Sequence, residues 1–182
     1  MQKITFVTGN DDKAREVGVA LGAEVERVKL DLDEIQSLDL KAVVEHKARQ
    51  AYAQLGAPVV VEDVSLAIAQ LGGLPGPFIK WFLLGVGVEG VARLLTAPDR
   101  SVSWTVGYGY CDQSGFQYAE GASSGTISQA AVGQGGFGFD SIFIFEGETR
   151  TIAELSPEEK AKHSPRVKAL LVLRDLLEHA SL

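Results

Sequence analysis

Residues 3–22 read KITFVTGNDDKAREVGVALG, and this stretch decides the fold. Its start, KITFV, has the apolar density of a buried strand, and Ala14, Val17 and Leu21 then fall at helical spacing, with Gly22 as a C-terminal stop. Between strand and helix, Thr8-Gly9-Asn10 offers a hydroxyl, a glycine and an amide, and Lys13 sits one turn into the helix. In a β-α unit, ligands bind beyond the carboxyl end of the strand. The turn exposes backbone N–H groups and the positive end of the helix dipole, which suits a phosphate. Thr8, Gly9, Asn10 and Lys13 therefore make a candidate anion cradle. An equally open reading is that Asn10 simply caps the helix and Lys13 is a solvated surface lysine.

Working outward, AEVERVKL (residues 23–30) reads as a second strand, and LKAVVEHKARQAYAQLG (40–56) as a helix. That helix has an apolar face at Val43, Val44, Ala48, Ala51 and Leu55, closed by Gly56. APVVVEDVSLAI (57–68) is a third strand, central by its triple valine. The opening β-α-β-α-β order signals an α/β sheet with parallel strands. LGGLPGP (71–77) breaks the chain, and FIKWFLLG (78–85) and EGVARLLTA (89–97) read as two short helices. From Ser101 the texture is that of strands: VSWTVGYGYCD, FQYAEGASSGTISQ and DSIFIFEG, with DQSG turning a hairpin. The last segment is helical. Ser156-Pro157-Glu158-Glu159 forms a capping box with proline at the first helical position, and Ser164-Pro165 restarts the helix.

The 182 residues suffice for one domain, residues 1–182, with no linker, repeat or low-complexity tract to divide it. Hydrophobic residues at 46% and charged residues at 23% are ordinary for a globular protein. A net charge of -7 argues against nucleic acid or an anionic membrane as partner, though not against a small anion. The single cysteine, Cys111, allows no intrachain disulfide and reads as a half-buried, inert strand residue. Three scattered histidines give no histidine-cluster metal site. With neither a signal-peptide layout nor an apolar run of membrane length, the expected location is cytoplasmic.

Glu62 and Asp63 follow PVVV and are expected at the carboxyl end of the third strand, on the edge that carries the cradle. Neighbours in a strand point to opposite faces, so only one of them faces a ligand. Glu34 lies in a polar loop on the same edge. Such oxygens beside a phosphate cradle suit magnesium; taken singly, Glu34 and Glu62 read equally as solvated loop acids. Two G-x-G-x-x-G matches, at 85–90 and 133–138, lack the strand-to-helix context of dinucleotide binding. The second is a pliable loop carrying Phe137, Phe139 and Asp140. An aromatic and an acid there suit a base, while Phe139 by itself reads better as core. No P-loop motif is present.

TGNDDK, VVVEDVSL, LGGLPGPFIKWFL, GFGFDSIF and LSPEEKAKHSPR occur in the order found in the inosine triphosphate pyrophosphatases, the Ham1/RdgB family, which the chain resembles along essentially its whole length. The resemblance implies an α/β fold: a long twisted mixed β-sheet flanked by helices, in two lobes with a central cleft, usually as a homodimer. It implies Mg2+-dependent hydrolysis of ITP, dITP or XTP to the monophosphate and pyrophosphate, with Mn2+ as a substitute metal. Thr8, Gly9, Asn10 and Lys13, helped by Lys47 and Lys80, would hold the phosphates. Glu34 and Asp63 would hold the metal with Glu62 in support, and Asp63 would also orient or deprotonate the attacking water. Phe137, Gly138, Phe139 and Asp140 would line the base pocket, with Lys160 and Arg166 reading the purine edge.

Two positions depart from the family pattern. Pro165 stands where a histidine usually lies between serine and arginine, and Val64 follows the acid where a hydroxyl residue is usual. His163 reads as a solvated histidine with no compensating role. The competing readings are a Maf-like pyrophosphatase acting on pyrimidine or modified nucleotides, and a nucleotide-binding protein with weakened turnover.

Overall fold

The computed structural model describes residues 4–11, 13–14, 17 and 24–180. Among these, a seven-stranded sheet has the order β2-β1-β3-β5-β6-β7, with β4 paired to β3. Its strands are β1 (Ile4–Val7), β2 (Val25–Val28), β3 (Val59–Ile68), β4 (Pro75–Gly76), β5 (Ser101–Asp112), β6 (Gly115–Ile127) and β7 (Phe143–Phe145). The helices are α1 (Leu40–Leu55), α2 (Ile79–Leu94), α3 (Pro157–His163) and α4 (Pro165–Ala180). Asp11, Lys13, Ala14 and Val17 are also helical, and Val17 is fully buried. The expected contributions of Leu21 and Gly22 lie outside the described residues.

The sheet is mixed. β1 pairs in parallel with β2 and β3, whereas β3–β4 and β6–β7 are antiparallel. By contacts the chain forms two compact units. One comprises Met1–Asp63, Val106–Gly121 and Arg166–Leu182, the other Val64–Thr105 and Ala122–Pro165.

In the first unit, α1 starts where the Asp39 side chain accepts from Lys41 N and Ala42 N, and it ends at Gly56, whose φ of 63° is left-handed. Its buried residues Leu40, Val44, Ala48 and Ala51 pack with Val7, Val59, Val61 and Cys111. A Cβ at Gly109 would sit 2.7 Å from Val44 and 2.8 Å from Phe116, so glycine permits this close helix-on-strand approach. Cys111 is fully packed here rather than half-buried, and burial pushes its thiol pKa up.

The second unit is built on aromatics. Trp104 meets Phe139 edge-on at 5.3 Å and Phe143 at 5.8 Å between centroids, and it stacks on Phe145. α2 is broken at Gly87 (φ 71°, ψ 173°), which gives the two short helices expected from the sequence. Arg100 ties the end of α2 to β6: its guanidinium donates to the carbonyls of Ala92, Leu95, Ile127 and Ser128. β7 is shorter than DSIFIFEG suggested. Turn hydrogen bonds Asp140 N to Phe137 O and Ile142 N to Phe139 O delay the strand until Phe143. Ser156 and Glu159 close the expected capping box, and α4 starts at Pro165. His163 is 36% exposed rather than fully solvated. It stacks on Phe145 at 5.3 Å, lies 3.5 Å from Glu148, and its carbonyl accepts from Ser123 Oγ.

Candidate active site

The opening turn is fixed by its own backbone. Thr8 N donates to Val28 O, which ties the exit of β1 to the end of β2. Thr8 Oγ1 then accepts from Asn10 N at 3.1 Å, and Asn10 Oδ1 accepts from Lys13 N at 3.2 Å. Asn10 is therefore a helix cap. Lys13 is not a solvated lysine: its ammonium lies 3.1 Å from Glu62 Oε1, with the side chain 18% exposed. Gly9 is exposed, with nothing within 4 Å of the place a Cβ would take.

β3 runs to Ile68, as APVVVEDVSLAI suggested, so Glu62 and Asp63 lie within the strand and not at its carboxyl end. Its last partner on β1 is Val61, so Glu62 and Asp63 come immediately beyond the parallel pairing. Alternation sends them to opposite faces. The Glu62 carboxylate is buried. It accepts from Arg166 Nε at 3.0 Å, Arg166 Nη2 at 3.1 Å and Tyr108 OH at 2.5 Å, in addition to the Lys13 pair. Burial alone would raise its pKa, but the Arg166 and Lys13 charges outweigh burial and hold it down at about 2. Glu62, expected as a supporting metal ligand, is thus a buried anion already committed to two cations and a hydroxyl. Arg166, expected on the purine edge, has two of its guanidinium nitrogens committed to Glu62.

Asp63 is on the other side. Its Oδ2 lies 2.9 Å from Lys47 Nζ, and that ammonium is also 3.5 Å from Glu62 O and 3.8 Å from Glu34 Oε1. Three segments meet here: α1 brings the lysine, the loop after β2 brings Glu34, and β3 brings Asp63. The trio keeps partial access to solvent, with side-chain exposures of 14% for Lys47, 18% for Asp63 and 37% for Glu34.

In the second unit, Asp140 Oδ2 accepts from Phe137 N at 3.1 Å and from Lys160 Nζ at 3.0 Å. Lys160 Nζ also lies 5.2 Å from the centre of the Phe137 ring. Gly136 is obligatory in this loop, because φ is 73° and a Cβ would fall 2.0 Å from Asp140 Oδ2. Gly138 also has positive φ, at 64°. Phe139 is buried in the Trp104 cluster, in keeping with its reading as a core residue. Lys80 lies over the exposed Trp81 ring on α2. The site residue that sequence reasoning missed is Tyr108. In an alternating strand a tyrosine reads as core, and its partner Glu62 is 46 positions away.

The Ham1 family profile matches residues 4–176. The chain belongs to the Ham1 family. It is 45% identical over 178 residues to inosine triphosphate pyrophosphatase 2 of Trypanosoma cruzi, covering 94% of this chain and 90% of that one. It is 42% identical over 173 residues to the dITP/XTP pyrophosphatase of Methanopyrus kandleri, covering 92% of each. Among solved structures, a HAM1 protein from Coxiella burnetii is similar with a TM-score of 0.85 and 28% identity, over 98% of this chain and all of that one. The α/β architecture with a mixed sheet flanked by helices is that of these Ham1 relatives.

Whether the site fits the magnesium that the resemblance implies is answered by its donors. Among the described residues, no three acid, histidine or cysteine side chains are grouped to hold a metal. Two carboxylates and one backbone carbonyl do converge on a single cation, the Lys47 ammonium. Hard oxygens in this number suit magnesium, which fills its remaining positions with water and substrate phosphate. Glu34 and Asp63 fit that role, and the Glu62 side chain does not.

Proposed function

We propose that this Ham1 family member hydrolyses deaminated purine nucleoside triphosphates, ITP, dITP and XTP, to the monophosphate and pyrophosphate. The observation that carries the reading is the convergence of Glu34 and Asp63 on Lys47 immediately beyond the parallel strands, with Lys13 paired to Glu62, the preceding residue of β3. The named relatives support the substrate class. So does the Lys160–Asp140 pair beside Phe137, which joins a donor, an acceptor and a stacking ring.

The residues divide the work as phosphoryl chemistry requires. That chemistry needs positioning and charge stabilisation more than covalent participation. Thr8, Gly9 and Asn10 shape the turn that leads the polyphosphate to the start of the helix, and Lys13 and Lys47 neutralise its oxygens. Glu34 and Asp63 would hold magnesium, which when bound supplies charge neutralisation and orientation of the phosphates. Asp63 orients or deprotonates the water that attacks the α-phosphorus. A P–O bond forms to that water, the bond to the bridging oxygen breaks, and pyrophosphate leaves with the electron pair. Glu62 serves by holding Lys13 and Arg166, so its part is positioning. We also propose, on the resemblance, that the protein works as a homodimer. No described helix is long and apolar enough to cross a membrane.

The test is a panel of ITP, dITP, XTP, GTP, ATP and UTP with magnesium, with both products identified by phosphorus NMR. Monophosphate and pyrophosphate as first products, with ITP and XTP preferred, are expected. Orthophosphate and a diphosphate as first products would refute the cleavage position. A preference for UTP or modified pyrimidines would favour the Maf-like alternative. Tight binding without product would indicate a binding protein.

A further inference from the structure

Lys47 occupies the position a metal ion would contest. Its ammonium is ringed by Asp63 Oδ2, Glu62 O and Glu34 Oε1, and its side chain is only 14% exposed. Its helix is anchored, since Val44, Ala48 and Ala51 are buried, while its own four-carbon stem is flexible. The ammonium can therefore leave the oxygens without moving the backbone. Glu34 and Asp63 come from different segments, and without a cation between them they would repel.

We propose that Lys47 is a built-in placeholder cation: it keeps Glu34 and Asp63 together before the metal arrives, and a divalent ion displaces it from Asp63. This deepens the proposed function and rests on it for the identity of the metal. Two cations compete for one carboxylate oxygen, so Lys47 lowers the affinity for free metal. A polyphosphate offers the displaced ammonium a new partner and so relieves that competition. Metal and triphosphate then favour each other's binding, a coupling that acts equally in both directions. The site would accept the metal–triphosphate complex more readily than the metal alone.

The experiment titrates Mn2+ against the full chain without nucleotide and follows free Mn2+ by electron paramagnetic resonance. Lys47→Gln should bind Mn2+ at least about fivefold more tightly than the parent, and adding Asp63→Asn to either should remove that binding. Equal or weaker binding by Lys47→Gln overturns the proposal, as does the absence of Mn2+ binding in both proteins. A second measurement needs no variant: acetylation of Lys47 in the parent, read by mass spectrometry with and without Mg2+. Displacement predicts faster acetylation with Mg2+, and an unchanged or slower rate overturns it. Neither readout depends on turnover. A parent that binds Mn2+ as expected but leaves ITP intact would refute the proposed reaction while the placeholder role stands.

Discussion

Glu62 and Asp63 are consecutive on β3, yet their carboxylates meet opposite circumstances. Glu62 is sealed among Arg166, Tyr108 and Lys13, with a side chain 1% exposed. Asp63 is 18% exposed and pairs with Lys47, which also lies near Glu34. A buried carboxylate with all its partners in place resists exchange, because each partner removed leaves an uncompensated charge. A carboxylate partly open to solvent and paired with a flexible ammonium can change partners. Strand alternation thus places an anchor and a working acid on adjacent residues.

The largest effect should come from breaking the anchor. Glu62→Gln or Arg166→Met should cost about 3–5 kcal/mol of stability, the penalty for an uncompensated buried charge, measured by urea denaturation near neutral pH. A loss below about 1 kcal/mol would put Glu62 in the same class as exposed ion pairs. Acid sharpens the test. The pKa of Glu62 is lowered from 4.5 to about 2, so its contribution is complete above about pH 4.5 and is lost as pH falls towards 2. Between those values the parent should lose more stability than Glu62→Gln does.

Asp63→Asn inverts the pattern. It should reduce ITP turnover by at least ~10²-fold, since a metal ligand and the water-orienting group are lost together. Its stability loss should be smaller than that of Glu62→Gln. A folded Asp63→Asn protein with near-normal turnover would remove the residue from its catalytic role.

Smaller steps grade the comparison. Tyr108→Phe removes one hydrogen bond to the Glu62 carboxylate and should cost about 1.5–3 kcal/mol of stability. At the far end stands the Glu89–Arg93 pair on α2, with side chains 63% and 70% exposed. Glu89→Ala should change stability by less than about 0.5 kcal/mol, as read by the same denaturation curves.

The parts legible in the sequence are those set by nearby residues. Helical spacing gave α1 its buried face, and the Ser156–Glu159 box and Pro165 marked the starts of α3 and α4. A strand followed by Thr-Gly-Asn located the turn before Lys13. Alternation required Glu62 and Asp63 to diverge but carried no information about which of them is buried. That depends on Arg166, 104 positions from Glu62, and on Tyr108, 46 positions away. Phe137 and Phe139 likewise share one glycine-rich motif. One lies by Lys160 and the other in the Trp104 cluster, a division set by tertiary packing.

The central claim is that an acid on the open face of β3 places water against the α-phosphorus of a purine triphosphate. Hydrolysis of ITP in oxygen-18-labelled water tests this most directly, with both products read by mass spectrometry. The account predicts the label in the monophosphate and none in the pyrophosphate. Label in the pyrophosphate would mean attack at the β-phosphorus and would contradict it.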